Sequence, residues 1–181
     1  MNIPSEIESF VVHFGEMGSR WGFNRTVGQM FALIVVSEQA LNADQIADML
    51  GVSRGNVSMG LKELQSWRLI RTQPIAGDRK DYFKPNGSLW ELAMQVLAER
   101  RKREVDPTLS LLRSELINPQ SEQNTYAHQR MQEMHDLIEM FLTWFDDIYK
   151  MNPDNLKTLL KLGAGVGKVL DMKDRLLTKQ K

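Results

Sequence analysis

The stretch ADQIADMLGVSRGNVSMGLKEL, Ala43 to Leu64, decides the fold. Two short amphipathic segments flank a Gly51-Val52 turn. In a helix-turn-helix the first helix needs a small residue where the second crosses it. The turn needs a glycine, and the second helix needs a branched residue pointing inward. Ala47, Gly51 and Val57 stand in those places, and Ile46, Leu50, Val52 and Leu61 fill the apolar positions around them. Asn42 with Gln45 predicts a capping box on the first helix, and Ser53 predicts the N-cap of the second. With the buried face so assigned, Ser53, Arg54, Asn56, Ser58, Met59 and Lys62 fall on or near the exposed side of the second helix. These are side chains of the kind that reach phosphates and base edges in a major groove. A helical hairpin with a merely polar surface is the alternative at this point.

The residues that follow weigh against that alternative. LIRTQPI, residues 69–75, and KDYFK, residues 80–84, read as two short strands joined by Ala76-Gly77-Asp78-Arg79. The Gly-Asp content suits a tight hairpin, and Pro74 with the charges makes the ribbon an exposed one. A helix-turn-helix followed by a basic hairpin is a winged helix. Arg79 at the tip is placed to enter a minor groove, where the negative potential is deepest. Asp78 is expected to orient Arg79, and Lys80 to face phosphate.

Outward from this centre the chain reads as helix. Upstream, Ile7, Phe10, Val11, Phe14, Met17 and Trp21 recur at helical spacing, with Ser5 and Glu8 as a capping box, and Val27 to Val36 forms a second, buried helix. Downstream, Ser88 and Glu91 make another capping box. Asp106-Pro107 is expected to restart a helix after the basic run RRKR, and Asn118-Pro119 to end it. A further helix carries Met134, Leu137, Ile138, Phe141, Phe145 and Ile148 on one face. Asn152-Pro153 opens a last one bearing Leu156, Leu159, Leu160 and Leu170. The expected fold is mainly α: a winged helix-turn-helix with a two-stranded β-wing and helical elements at its N- and C-terminal ends. Residues 1–87 hold the winged helix-turn-helix expected to bind DNA, with its N-terminal helices, and 88–181 a helical region.

Composition limits the function classes. The 181 residues carry 23 basic and 23 acidic side chains, so nothing coats nucleic acid through bulk charge. The distribution is uneven: Arg54 to Lys84 holds seven basic and three acidic residues, Asn118 to Asp154 two basic and seven acidic. If the chain binds DNA, it does so through one region. The absence of cysteine excludes disulfides, thiol nucleophiles and cysteine-ligated metals. The longest apolar run, Met30 to Val36, falls far short of the roughly 18 residues a membrane span needs. The N-terminus MNIPSEIESF lacks the basic and apolar regions of a secretion signal, and a cytoplasmic location is expected.

The stretch Leu41 to Phe83, above all SRGNVSMGLKEL and GDRKDYF, resembles the GbsR-type branch of the MarR superfamily of transcription regulators. The resemblance continues more weakly through GQMFALIVVSEQAL and SLWELAMQVLAERRKREVDP. It implies a homodimer on double-stranded DNA whose flanking helices at both ends build the interface, here Phe10, Phe14, Phe141, Phe145, Leu159 and Leu170. It also implies a repressor or activator whose DNA affinity responds to a ligand or to osmotic conditions, some relatives sensing compounds of the choline and betaine type. Gly60 departs from the generic motif, which has a buried aliphatic residue there, and Leu61 is expected to supply that packing.

Other signals carry less. Gly163-Ala-Gly-Val-Gly-Lys168 lacks both the earlier glycine and the following hydroxyl of a phosphate loop. His128 and His135 are seven apart rather than three or four, and read as part of a solvated face. Trp90, Tyr126, Phe141, Trp144, Phe145 and Tyr149 offer faces for a quaternary ammonium, but aromatics at helical spacing are more often core or interface. No catalytic arrangement is found, and no metal or cofactor is expected. The reading is a DNA-binding regulator, a repressor acting as a homodimer on a near-palindromic operator. The alternative is a winged-helix protein-interaction module without sequence-specific DNA binding.

Overall fold

The computed structural model describes residues 3–117, 125–156 and 158–163, in two compact units, Met1–Pro107 and Thr108 onward. The first unit opens with α1 (Ser5–Arg20) and α2 (Arg25–Val36), followed by β1 (Leu41–Asn42), α3 (Ala43–Leu50) and α4 (Arg54–Ser66). β2 (Ile70–Gln73), β3 (Tyr82–Pro85) and α5 (Leu89–Arg100) follow, then a π-helical turn at Arg101–Val105. The fold is mainly helical, with the helix-turn-helix at α3–α4 and the wing at β2–β3.

The local signals act as expected at the starts of α3, α4 and α5. Asn42 Oδ1 accepts the Gln45 amide at 3.0 Å while Gln45 Oε1 accepts the Asn42 amide at 2.9 Å. Ser88 and Glu91 form the same reciprocal box on α5. Ser53 Oγ accepts the Asn56 amide at 3.3 Å. The expected Ser5–Glu8 box is absent: Pro4 is the N-cap of α1, and Ser5 is already helical. Proline's fixed φ starts the helix there, and Glu6 and Glu8 complement the helix dipole instead. Nor does a break precede Pro107. The wider π-helical turn runs directly into α6 (Asp106–Ile117), a known way for a helix to absorb local distortion.

The sheet has three strands in the order β1-β3-β2, all antiparallel: β2 and β3 are the expected two-stranded wing, and β1 adds a third strand along the edge of β3. Leu41 pairs with Phe83 and Asn42 with Tyr82, while Thr72 and Gln73 face Phe83 and Tyr82 from the other side. β1 is two residues long, too short to show alternation, and it owes its existence to pairing with a strand some forty residues later. Asn42 thereby serves the sheet and caps α3, and is buried at 6% exposure.

The core of this unit gathers Val11 from α1, Met30, Leu33 and Ile34 from α2, Ile46 from α3, Val57 and Leu64 from α4, and Trp67 and Leu69 after it. α1 and α2 meet through glycines: a Cβ on Gly28 would lie 3.0 Å from the Phe14 carbonyl oxygen and 3.2 Å from Gly15 Cα. Such an approach lets two helices bury backbone against backbone.

The second unit contains the body of α6 and α7 (Tyr126–Tyr149), the latter capped by Thr125 Oγ1, which accepts the His128 amide. An Arg113–Glu139 ion pair links the two helices, and residues 153–156 and 158–163 are helical.

Candidate nucleic-acid interface

α4 is two-faced. Val57, Gly60, Leu61 and Leu64 are buried against the core, and Ser53, Arg54, Asn56, Ser58, Met59 and Lys62 are all exposed. Met59 is 66% exposed, an apolar side chain on an otherwise polar face, of the kind that touches a thymine methyl. Ser53 Oγ accepts one bond in the helix cap and keeps its hydroxyl hydrogen to donate.

The wing tip is held by Asp78. The Asp78 amide donates to the Ile75 carbonyl at 3.1 Å, and Gly77 at φ +84° makes the turn. The Asp78 carboxylate accepts the Lys80 amide at 2.9 Å and the Tyr82 hydroxyl at 2.9 Å. These bonds, the Lys80 amide first, lower its pKa. Asp78 thus orders the turn that carries Arg79 through the backbone, rather than by gripping a guanidinium. Arg79 is exposed at the tip.

The start of α4 and the wing meet at a residue that sequence reasoning missed. Asp44, in the first turn of α3, accepts from Arg54 Nη2 at 2.8 Å through one carboxylate oxygen and from Lys80 Nζ at 3.1 Å through the other. The bond and charge of Asp44 raise the Lys80 pKa. In sequence Asp44 is only an acid in a helix's first turn, where the dipole alone explains it. Its two partners lie 10 and 36 positions away, and no local pattern signals them. Below the bridge a groove of about 370 Å³ runs between α4 and β3, with Ser58, Lys62, Lys80 and Asp81 on its walls. Helix N-terminus, groove and wing base therefore face one surface.

The expected interface residues divide between the units. Phe10 and Phe14, in ring contact at 4.9 Å, line a largely apolar cleft of about 560 Å³ within the first unit, with Trp21, Phe31, Leu92 and Val96. On α7, Phe141 is 56% exposed and Phe145 half-buried; Leu159 is 39% exposed. Leu170 lies outside the described residues, as do the later positions of the glycine motif. Of the aromatics weighed for a cation, Tyr126 and Phe141 stand about 22 Å apart along α7 at 1.5 Å per residue. Among the described residues no group of three potential metal ligands occurs, and no helix is long and apolar enough to cross a membrane.

Residues 21–81 match the model of the MarR family. Among solved structures the chain is similar to that of a transcriptional regulator, at 23% identity and a TM-score of 0.55, over 80% of this chain and 95% of that one. It is similar also to the transcriptional regulator Tm0710 from Thermotoga maritima, at 15% identity and a TM-score of 0.39, over 81% and 94% of the two chains. To the reduced form of MarR from E. coli it is similar at 17% identity and a TM-score of 0.37, over 64% and 98%. No curated protein matches.

Proposed function

We propose that this chain, whose residues 21–81 match the MarR family and which folds as a winged helix, is a DNA-binding transcriptional regulator. One observation carries the reading: a single carboxylate reaches both the start of α4 and the wing, so Arg54, Lys80 and the exposed face of α4 present to one surface. On DNA, α4 enters the major groove and reads it with Asn56, Ser58, Met59 and Lys62. Ser53 and Arg54 hold phosphate at the helix start, and Arg79 enters the neighbouring minor groove.

Residues 1–87 bind DNA and 88–181 dimerise. The protein acts in the cytoplasm as a homodimer, and as a repressor, on a near-palindromic operator with half-sites about one helical turn apart. The exposed apolar face of α7 supports the dimer, since Leu137, Met140, Phe141 and Trp144 are each more than half exposed on one helix. The branch resemblance adds an effector of quaternary ammonium type, tested by thermal shift with choline and betaine.

The test is binding of the purified protein to fragments of its own genome at several salt concentrations, beside Arg79→Ala and Asn56→Ala. Preference for particular fragments, a steep loss with salt and weakening by both substitutions support the regulator, because phosphate contacts release counterions. Shallow, fragment-independent binding that neither substitution weakens overturns it in favour of a protein-interaction module.

A further inference from the structure

Arg54 and Lys80 come from different elements, yet in the free protein they share one anion. From the Asp44 carboxylate, Oδ1 meets Arg54 Nη2 at 2.8 Å and Oδ2 meets Lys80 Nζ at 3.1 Å. A carboxylate and a phosphodiester both present two charged oxygens to such donors, and guanidinium groups bind either. Resting on the DNA-binding reading, we infer that Arg54 and Lys80 form a site for one DNA phosphate, which Asp44 fills in the free protein and yields to the DNA.

Exposure decides between this and a purely structural bridge. The Arg54 and Lys80 side chains are 77% and 54% exposed, and that of Asp44 is 32% exposed. Ion pairs so open to water hold elements together only weakly, so the bridge is a poor strut. The same exposure leaves both cations open to an incoming phosphate while a negative charge sits between them. Asp78 and Asp81 on the wing add further negative charge, and that of Asp78 also acts on Lys80. Exchange of carboxylate for phosphate has a thermodynamic signature. Cations already neutralised by Asp44 carry fewer condensed anions to release, and the freed carboxylate takes up a cation. DNA binding is then weaker, and its salt dependence shallower, than the number of phosphate contacts implies.

The experiment compares wild type, D44N, D48N, and D44N in an R54A/K80A background. The probe is a mixed-sequence duplex of about 25 base pairs, long enough for two major-groove half-sites. Fluorescence anisotropy is read across a salt series, and thermal unfolding checks that each variant is folded. Asp48 is an exposed carboxylate on the same helix, so D48N makes the same change in net charge. D44N is expected to bind about tenfold more tightly at low salt, with a log–log salt slope steeper by about one. D48N should change much less, and the gain should vanish without Arg54 and Lys80. An equal gain in D48N, a gain that survives in the R54A/K80A background, or weaker binding by D44N overturns the inference while wild type still binds. Absence of binding by every protein instead overturns the DNA-binding reading itself.

Discussion

Met30 on α2 fills the space in which a side chain at Gly60 on α4 would begin. A Cβ built at position 60 would lie 1.9 Å from Met30 Cε and 3.2 Å from Met30 Sδ, with Val27 Cγ2 at 3.3 Å. Met30 is fully buried. The gap in the usual packing of the second helix is thus closed from α2, and not by Leu61, which is buried in the same core in its own place. An unbranched, polarisable side chain suits an irregular gap of this kind.

The consequence is measurable. Alanine in a helix interior gains about 1 kcal/mol over glycine, but overpacking a filled core costs about 1–3 kcal/mol. Gly60→Ala should therefore destabilise by no more than about 2 kcal/mol in urea unfolding, since the flexible end of Met30 and Val27 Cγ2 must both shift to admit the methyl group. In a Met30→Ala background the same change should be neutral or stabilising, a coupling of more than about 1 kcal/mol. Additive behaviour would show that the two residues do not compete for one space.

Arg68 is the one non-glycine residue with positive φ among the described residues, at 57°. It closes α4 in a Schellman arrangement: the Leu69 amide donates to the Leu64 carbonyl and the Arg68 amide to the Gln65 carbonyl, both at 2.9 Å. Leu64 and Leu69 are both fully buried beneath it. Arg68→Gly should stabilise the protein by about 1 kcal/mol, since glycine reaches this conformation without strain. A loss of stability in chemical denaturation would mean that the side chain contributes more than its backbone costs.

The wing turn should be sensitive to acid. Asp78 has its carboxyl held below the ordinary 3.8 by the Lys80 amide and then the Tyr82 hydroxyl. A carboxyl with a lowered folded pKa contributes above its unfolded value and loses that contribution as pH falls through the folded one. The Lys80 amide should therefore be protected from exchange at neutral pH. Its NMR shift should titrate below pH 3.8. Asp78→Ala should abolish the titration and raise exchange at neutral pH.

The apolar face of α7 should be needed for assembly and not for folding. Phe141 is 56% exposed, so Phe141→Glu removes little from the core. The expected result is a monomer by light scattering with a melting temperature near that of wild type. Loss of the second half-site should weaken operator binding about 100-fold. A tight dimer after the substitution would put the interface elsewhere.

Particular residues show how far the sequence could be read. Asn42, Ser53 and Ser88 were legible as caps because a cap and its partner are two or three residues apart. The exposed face of α4 was legible from helical period alone. Pro4 at the start of α1 and the π-helical turn before Pro107 were not, since proline fixes its own φ without fixing which neighbour caps the helix or how the turn before it is wound. The strand Leu41–Asn42 was invisible because two residues carry no period.

What the sequence determined by itself is local: where helices start, which face each buries, that a glycine-bearing turn joins α3 to α4, and that a basic hairpin follows. Those features depend on groups within about one helical turn or one hairpin of each other, and backbone hydrogen bonding with hydrophobic period dictates them. Only the tertiary structure decided that β1 joins the wing sheet, that Met30 occupies the space over Gly60, and that Asp44 lies between Arg54 and Lys80. These pairs are brought together by burial of the common core, which is non-directional and leaves no mark in the spacing of the residues it unites.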